Sequence, residues 1–219
     1  MREFLLGVIS SLVAAALSLA AGWAGLPRLR KGALRLLSRM TGMGVVAHYP
    51  HQKSANAALS ADLGSARWVR VLAGRGNELT RDSFQTLWQR SNTRLESVRV
   101  LLPDPADPAG WMRQREEDIR QGDPGFVRGV LAAQVTANLE YLSAIASANP
   151  AVTVRLYDAP HTCRIIATDQ VVYFTPYLPA VHGRHSPCLV FRSGGIMYEH
   201  ALETFALLWG AGSPVDQKD

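Results

Sequence analysis

Cysteine is almost missing from this chain: Cys163 and Cys188 are the only two in 219 residues. So sparse a pair excludes a disulfide-stapled scaffold, and in a cytoplasmic domain both thiols are expected to be reduced and buried. No C-x-x-C or H-E-x-x-H spacing occurs, and the six histidines are scattered. Neither a metal nor a cofactor is therefore expected. Bulk charge is missing as well. The formal net charge is +5, yet from Thr41 to Asp219 there are 17 Lys+Arg against 17 Asp+Glu. A neutral domain is not a bulk polyanion binder, so no bulk nucleic-acid binding is expected and any such contact has to be local.

Charge is absent altogether from Phe4 to Gly25, FLLGVISSLVAAALSLAAGWAG. At the helical rise this run reaches about 33 Å, enough to cross a hydrocarbon core with slight tilt. A secretory signal would want a basic leading region, a shorter apolar run and a small-residue cleavage site. Residues 4–25 are therefore read as a transmembrane helix. Acid is absent from the next stretch, where Arg28, Arg30, Lys31, Arg35 and Arg39 follow within residues 26–43. That cluster places the C-terminal side in the cytoplasm, at an inner membrane crossed once. Interleaved with Leu29, Leu34, Leu36, Leu37 and Met40, it reads either as an interfacial helix on anionic headgroups or as a solvated basic linker. Gly7, Ser11 and Ala15, and likewise Ala14, Ser18 and Gly22, recur at the four-residue spacing that lets two such helices approach.

Residues 44–212 alternate between two periods, with 213–219 left as a tail. After a start at 45–49, strand patterns are predicted over 68–72, 98–102, 152–157, 164–168, 171–175 and 188–191. Helical patterns are predicted over 54–65, 81–90, 111–121, 125–149 and 197–209. Strands alternating with helices, then a run of strands, then a closing helix specify an α/β domain whose first strands are parallel.

Three stretches can carry chemistry. Gly74-Arg75-Gly76-Asn77 leaves a strand and opens towards a helix, where open α/β sheets bind ligands and glycine amides can face an anion. It matches neither the dinucleotide fingerprint nor a P-loop, and a plain turn is the competing reading. The second is His161-Thr162-Cys163-Arg164 with Asp169. The third is Val181-His182-Gly183-Arg184-His185-Ser186-Pro187, a loop with donors for an anion or simply a solvated one.

A strand reading Val154-Arg155-Leu156-Tyr157-Asp158, a Thr162-x-Arg164 element, Asp169 at a strand turn, Ser186-Pro187 and a closing helix ending in Leu208-Trp209 together resemble phospholipase D-like domains. The resemblance spans roughly residues 49–209 and is nearest a degenerate branch found beside bacterial regulatory and defence modules. It implies a single half-domain, a mixed sheet flanked by helices. Active members carry His-x-Lys with an Asp seven residues after the His. Here Thr162 stands where the His belongs and Arg164 where the Lys belongs. Thr cannot serve as the phosphohistidine nucleophile, whereas Arg still grips phosphate. The resemblance thus implies a sensor in signalling or phage defence, with Arg75, Gly76, Asn77, Arg164, Asp169, His185 and Ser186 around a phosphorylated or nucleotide-like ligand or a partner protein. The competing reading is an active phosphodiesterase using His161 or His185 with Asp169; Arg164 merely paired with Asp158 or Asp169 is the structural alternative. A lone half-domain further implies a homodimer or larger assembly, its seam on an apolar surface around Val171, Tyr173, Phe174, Tyr177 and Leu178.

Overall fold

Alternating burial along short β-branched runs builds one sheet. The computed structural model describes residues 27–80, 82–88 and 94–215. Its strands are β1 (Val45–Tyr49), β2 (Trp68–Leu72), β3 (Ser97–Pro103), β4 (Val152–Tyr157), β5 (Cys163–Thr168), β6 (Val171–Pro176), β7 (Cys188–Arg192) and β8 (Ser213–Pro214). They form an eight-stranded mixed sheet in the order β1-β7-β6-β5-β2-β3-β4-β8. Parallel pairing is found for β2, β3 and β4. These are the first predicted strands, and they are parallel as expected; β1, at the start of the domain where no strand is predicted, runs antiparallel to β7 at the far edge.

Helices cover both faces. They are α1 (Pro27–Thr41), α2 (Asn56–Ser65), α3 (Gln85–Trp88), α4 (Trp111–Gly122), α5 (Val130–Ala148) and α6 (Ile196–Ala211). On one face Leu59 and Leu63 of α2, Met112 and Ile119 of α4, and Leu131, Val135 and Leu142 of α5 pack on Val69, Val71, Val98, Val100, Val154 and Ile166. On the other, Tyr198, Ala201 and Phe205 of α6 pack on Leu72, Leu101, Ile165, Ala167, Val172 and Phe191. Every residue of β5 is buried, because it lies mid-sheet with a core on each side. Each fully buried aliphatic side chain contributes about 1.5–3 kcal/mol.

The helix expected over 125–149 starts only at Val130. Pro124 and the left-handed Gly129 (φ 82°) stop the pattern from extending backwards. The helix expected over 81–90 is a 3-10 turn, Asp82–Phe84, followed by the short α3; its flanks lie outside the described residues. Ser213 and Pro214 add an edge strand against Leu156 and Arg155 of β4.

The surface assigned to a dimer seam is corrected. Tyr173 is 1% exposed, and its hydroxyl donates to Asp62 Oδ2 on α2 at 2.6 Å. The apolar run 171–178 is thus largely used within the chain, with Leu178 alone still exposed among its large hydrophobics. The neighbour that covers Tyr173 is α2, an element whose partner strand the local pattern does not reveal.

Residues 4–25, read as a transmembrane helix, lie outside the described residues. Among the described residues no helix is long and apolar enough to cross a membrane. α1 packs on β1, with Arg35 Nε donating to Val46 O at 3.3 Å. Leu34, Leu36, Leu37 and Met40 remain exposed.

Gly44 (φ 80°) and Gly195 pin the start of β1 to the start of α6. A Cβ on Gly44 would sit 2.8 Å from Gly195 Cα, and one on Gly195 2.7 Å from Gly44 Cα. Backbone on both sides leaves nothing to swing away. Gly44→Ala is therefore expected to cost about 2–3 kcal/mol in urea unfolding, with the m-value unchanged.

Candidate functional site

The carboxyl end of β2 runs into a loop that cannot collapse onto the sheet. Gly76 adopts φ 81°, and a Cβ there would meet Leu102 Cδ2 at 3.0 Å and Asn138 Cβ at 3.5 Å. Only glycine lets the chain turn so close to β3 and α5. Asn138 then ties the loop to α5: its Nδ2 donates to Arg75 O and to Asn77 Oδ1, both at 2.7 Å. One turn earlier on α5, Gln134 Oε1 accepts from Arg75 Nη1 at 3.1 Å and from Asn77 Nδ2 at 3.3 Å.

α5 owes its position to α4. Glu116 is 4% exposed, and its two oxygens accept from Gly129 N at 2.8 Å and Leu131 N at 2.7 Å. A carboxylate against the first free amides of a helix satisfies donors that have no internal partner. The neighbouring Arg115 turns the other way. It donates to Leu178 O at 3.1 Å and Val181 O at 2.6 Å and lies over the Tyr177 ring at 5.3 Å. This fixes the loop 177–185 opposite the Arg75 loop. Gly74 N donates to Tyr177 Oη at 3.2 Å across the gap.

Between the two loops lies a cavity of about 540 Å³. Arg164 enters it from β5. The side chain is 5% exposed and ion-paired with Glu78 through Nη1, while Gln52 Nε2 donates to the other Glu78 oxygen. Among the described residues its Nε and Nη2 are buried without a partner. Arg75 has the neutral Gln134 and, at 3.5 Å, His182 Nδ1 as its neighbours. Burial draws the Arg75 guanidinium below its ordinary value, and Arg184 and Arg115 add to this against Tyr177. Lys53 and Arg184 also line the space. His182 Nε2 meets Asp123 Oδ2 at 2.9 Å, and that hydrogen bond is the main reason the carboxyl sits below its usual range. The Tyr177 hydroxyl is pushed upwards by burial, with Arg164 and Arg75 opposing. Two interior guanidiniums thus share one directly bound carboxylate. What remains is a set of unused, aimed N–H donors.

Of the residues singled out in the sequence, Gly74 to Asn77, Arg164, His182, Gly183 and Arg184 line this cavity together. Ser186, His185, Asp169 and His161 do not join them. Ser186 is fully buried and its Oγ accepts from Leu178 N at 3.2 Å, a support for the loop. His185 is exposed beside His51 and Arg184. Asp169 lies past the far end of β5, where Oδ1 accepts from Arg67 N at 2.9 Å. His161 packs on Tyr157 with ring centroids 5.7 Å apart. Asp169 is separated from His161 by an extended strand, roughly 25 Å at strand rise. His185 is at the same distant end as His161, beside the start of β7. The pairing of either histidine with Asp169 is therefore corrected: the strand holds them apart. Arg164 likewise pairs with neither Asp158 nor Asp169 but with Glu78. Thr162 is exposed, with its carbonyl bound by Tyr177 N at 2.8 Å.

Glu78, Gln134, Tyr177 and Asp123 carried no local signal, since each acts through a partner distant in the chain. Asn138 did carry one. It falls on the apolar stripe Leu131, Val135, Leu142, and a buried amide in such a stripe needs partners.

No protein-family model matches the chain, and no curated protein matches it. Solved structures do. TrmBL2, an archaeal chromatin protein with a novel mode of DNA binding, is 12% identical at a TM-score of 0.47, covering 95% of this chain and 70% of its own. Nuc from Salmonella typhimurium, a phospholipase D family member, is 13% identical at 0.47, over 77% and 95%. NucT from Helicobacter pylori is 9% identical at 0.45, over 77% and 98%. Likeness at this level assigns no activity. The expectation of no bulk nucleic-acid binding is nonetheless corrected, because one of these structures is a DNA-binding chromatin protein. Net charge averages over the whole surface, whereas a phosphate backbone responds to local cations.

The His161 imidazole is pulled down to about 4, first by burial and then by Arg115, with Asp107 opposing. The ring is thus neutral in the fold but charged in the unfolded chain below about 6.5. Stability is expected to fall as pH drops through that window and to level off near pH 4, by on the order of 2 kcal/mol given partial solvent access. His161→Gln should flatten this part of the curve in urea titrations. An unchanged acid limb would show that the ring is not responsible.

Proposed function

We propose that this chain is a membrane-tethered phospholipase D-like domain that has lost the nucleophile and kept the phosphate grip. The observation that carries the reading is Arg164, buried in the cavity with Nε and Nη2 unpartnered. An unsatisfied buried guanidinium costs free energy, and a phosphate oxygen is the natural recipient of its paired donors. Arg75 enters the same space without a carboxylate of its own. The volume suits a nucleotide-sized or sugar-phosphate ligand better than a bare ion. Thr162, where an active relative would carry its imidazole, is exposed and tied through its backbone.

Membrane tethering rests on the uncharged run over 4–25 and the basic stretch that follows. The exposed leucines of α1 fit an interfacial helix on an inner leaflet, with the domain over 44–212 in the cytoplasm. A role in signalling or defence follows from the resemblance of the motifs and from no other feature.

One observation favours a second reading, phosphodiester hydrolysis. The cavity does contain an imidazole held by a carboxylate, the His182–Asp123 pair at 2.9 Å, which is the arrangement of an oriented base.

Thermal shift and calorimetry of the full chain in detergent, with pyrophosphate and mononucleotides, decide between them. Wild type is expected to bind without turnover. Arg75→Gln and Arg164→Lys should each weaken binding at least about tenfold, the Lys variant keeping the pair with Glu78 and hence the fold. Equal affinity in both variants sinks the proposal. Turnover of a diester that disappears in His182→Ala replaces it with the enzyme.

A reporter active only outside the cytoplasm, fused after Asp219, is expected to stay silent. Strong activity there would reverse the orientation.

A further inference from the structure

The face of the sheet opposite the cavity carries a second cationic feature that α6 leaves partly open. Arg70 on β2 and Arg99 on β3 are direct cross-strand partners in a parallel pair. Arg155 on β4 stands opposite Leu101, two residues further along than Arg99. All three alternate with the valines of the other core, so they point to the α6 side. At strand spacing the three Cα positions are about 5 Å and about 8 Å apart. Among the described residues none of the three forms an ion pair. Arg70 Nη1 donates to Val69 O at 2.9 Å and to Ser97 Oγ at 3.1 Å, and Arg155 Nη1 to Trp209 O at 2.8 Å. Arg99 is exposed, and its guanidinium makes no hydrogen bond among the described residues.

Each guanidinium lies instead on an indole. Arg70 is 5.0 Å from the Trp68 ring centroid, Arg99 5.4 Å and Arg155 4.9 Å from that of Trp209. Trp209 is itself held by stacking on Phe205, 5.6 Å away at 21°. Like charges placed directly opposite on one sheet face repel, and burial together with Arg99 lowers the Arg70 guanidinium to about 10. No acid among the described residues forms an ion pair with this trio, although the domain has as many acids as bases.

We infer that this face is a binding platform for single-stranded nucleic acid, with Arg70, Arg99 and Arg155 taking successive phosphates and the Arg–Trp stacks offering flat surfaces to unpaired bases. Planar cations over indoles suit bases that are free to stack, which a duplex does not present. A lipid surface fits less well. α1, with its exposed leucines, packs on β1, and five strand steps separate β1 from β3 in the sheet order, roughly 24 Å. The platform is independent of the cavity, since Arg164 faces the opposite core.

Fluorescence anisotropy of labelled oligothymidylate, with the full chain in detergent and across a salt titration, tests the inference. Wild type is expected to bind with a salt-dependent affinity and to show quenched tryptophan emission. The double variant Arg99→Gln/Arg155→Gln should bind at least about tenfold more weakly, with the log–log salt slope reduced by about 1.4, two phosphates' worth for a single strand. Arg99→Gln alone removes an exposed side chain, so its fold is expected to survive and its slope to fall by about 0.7. No binding by wild type, or unchanged affinity in the double variant, overturns the inference. So does affinity that is lost in Arg164→Gln but kept in the double variant, which would place the strand in the cavity. Binding to phosphatidylglycerol vesicles that depends on Arg99, with none to the oligonucleotide, would overturn it in favour of lipid.

Discussion

The cavity depends on a shortage of negative charge around Arg164. Its guanidinium is driven into the protein because β5 is buried on both faces, so every side chain of that strand has to find its place inside. A single carboxylate, Glu78, meets it, and Gln52 steadies that carboxylate from behind. A buried cation of this kind persists only when its partners are fixed by the surrounding fold, because desolvation otherwise outweighs the attraction. The surroundings here are fixed on the protein side and left open on the cavity side. Pairing of this cation within the protein is therefore incomplete, with Nε and Nη2 left without a partner among the described residues.

That fixed frame is supplied by α4, a helix whose sequence looks like solvated surface. Two consecutive residues turn to different tasks. Arg115 anchors the loop that carries His182, and Glu116 caps the helix that carries Gln134 and Asn138. Opposite walls of the cavity are thus held by adjacent side chains, so the distance between the walls is set by one rigid turn of helix. Loops attached in this way keep their donors aimed without secondary structure of their own.

The two faces of the sheet divide the positive charge differently. On the cavity side guanidiniums are buried and hydrogen-bonded to a few acceptors. On the α6 side they stand over indoles, without an ion-pair partner among the described residues. A net charge of zero hides both features, because acids paired on α4 and in the loops cancel them only in the sum. Strand alternation is what sorts neighbouring residues such as Val69 and Arg70 onto opposite faces.

Most strands and helices were legible in the sequence, since each is written by its own periodicity. The cavity loop was legible as well, as Gly74-Arg75-Gly76-Asn77 leaving a strand, and so was Arg164 through its place beside Thr162. Their meeting was not legible. Arg164 and Glu78 are 86 residues apart, and nothing in either segment announces the other. The antiparallel run of β5 against β2 is what carries Arg164 to the carboxyl end of β2, and the same strand carries Asp169 away from the histidines. Tyr173 shows the limit from the other side: its apolar strand was plain, but α2 and Asp62 decided that it would be core and not seam. Sequence by itself determined which segments are strands, which are helices and which loop turns on glycine at the end of β2, because those follow from local period and side-chain chemistry. Tertiary structure alone decided which charges meet and which stay unpaired, because that depends on strand order and register, which bring together groups that no local pattern relates.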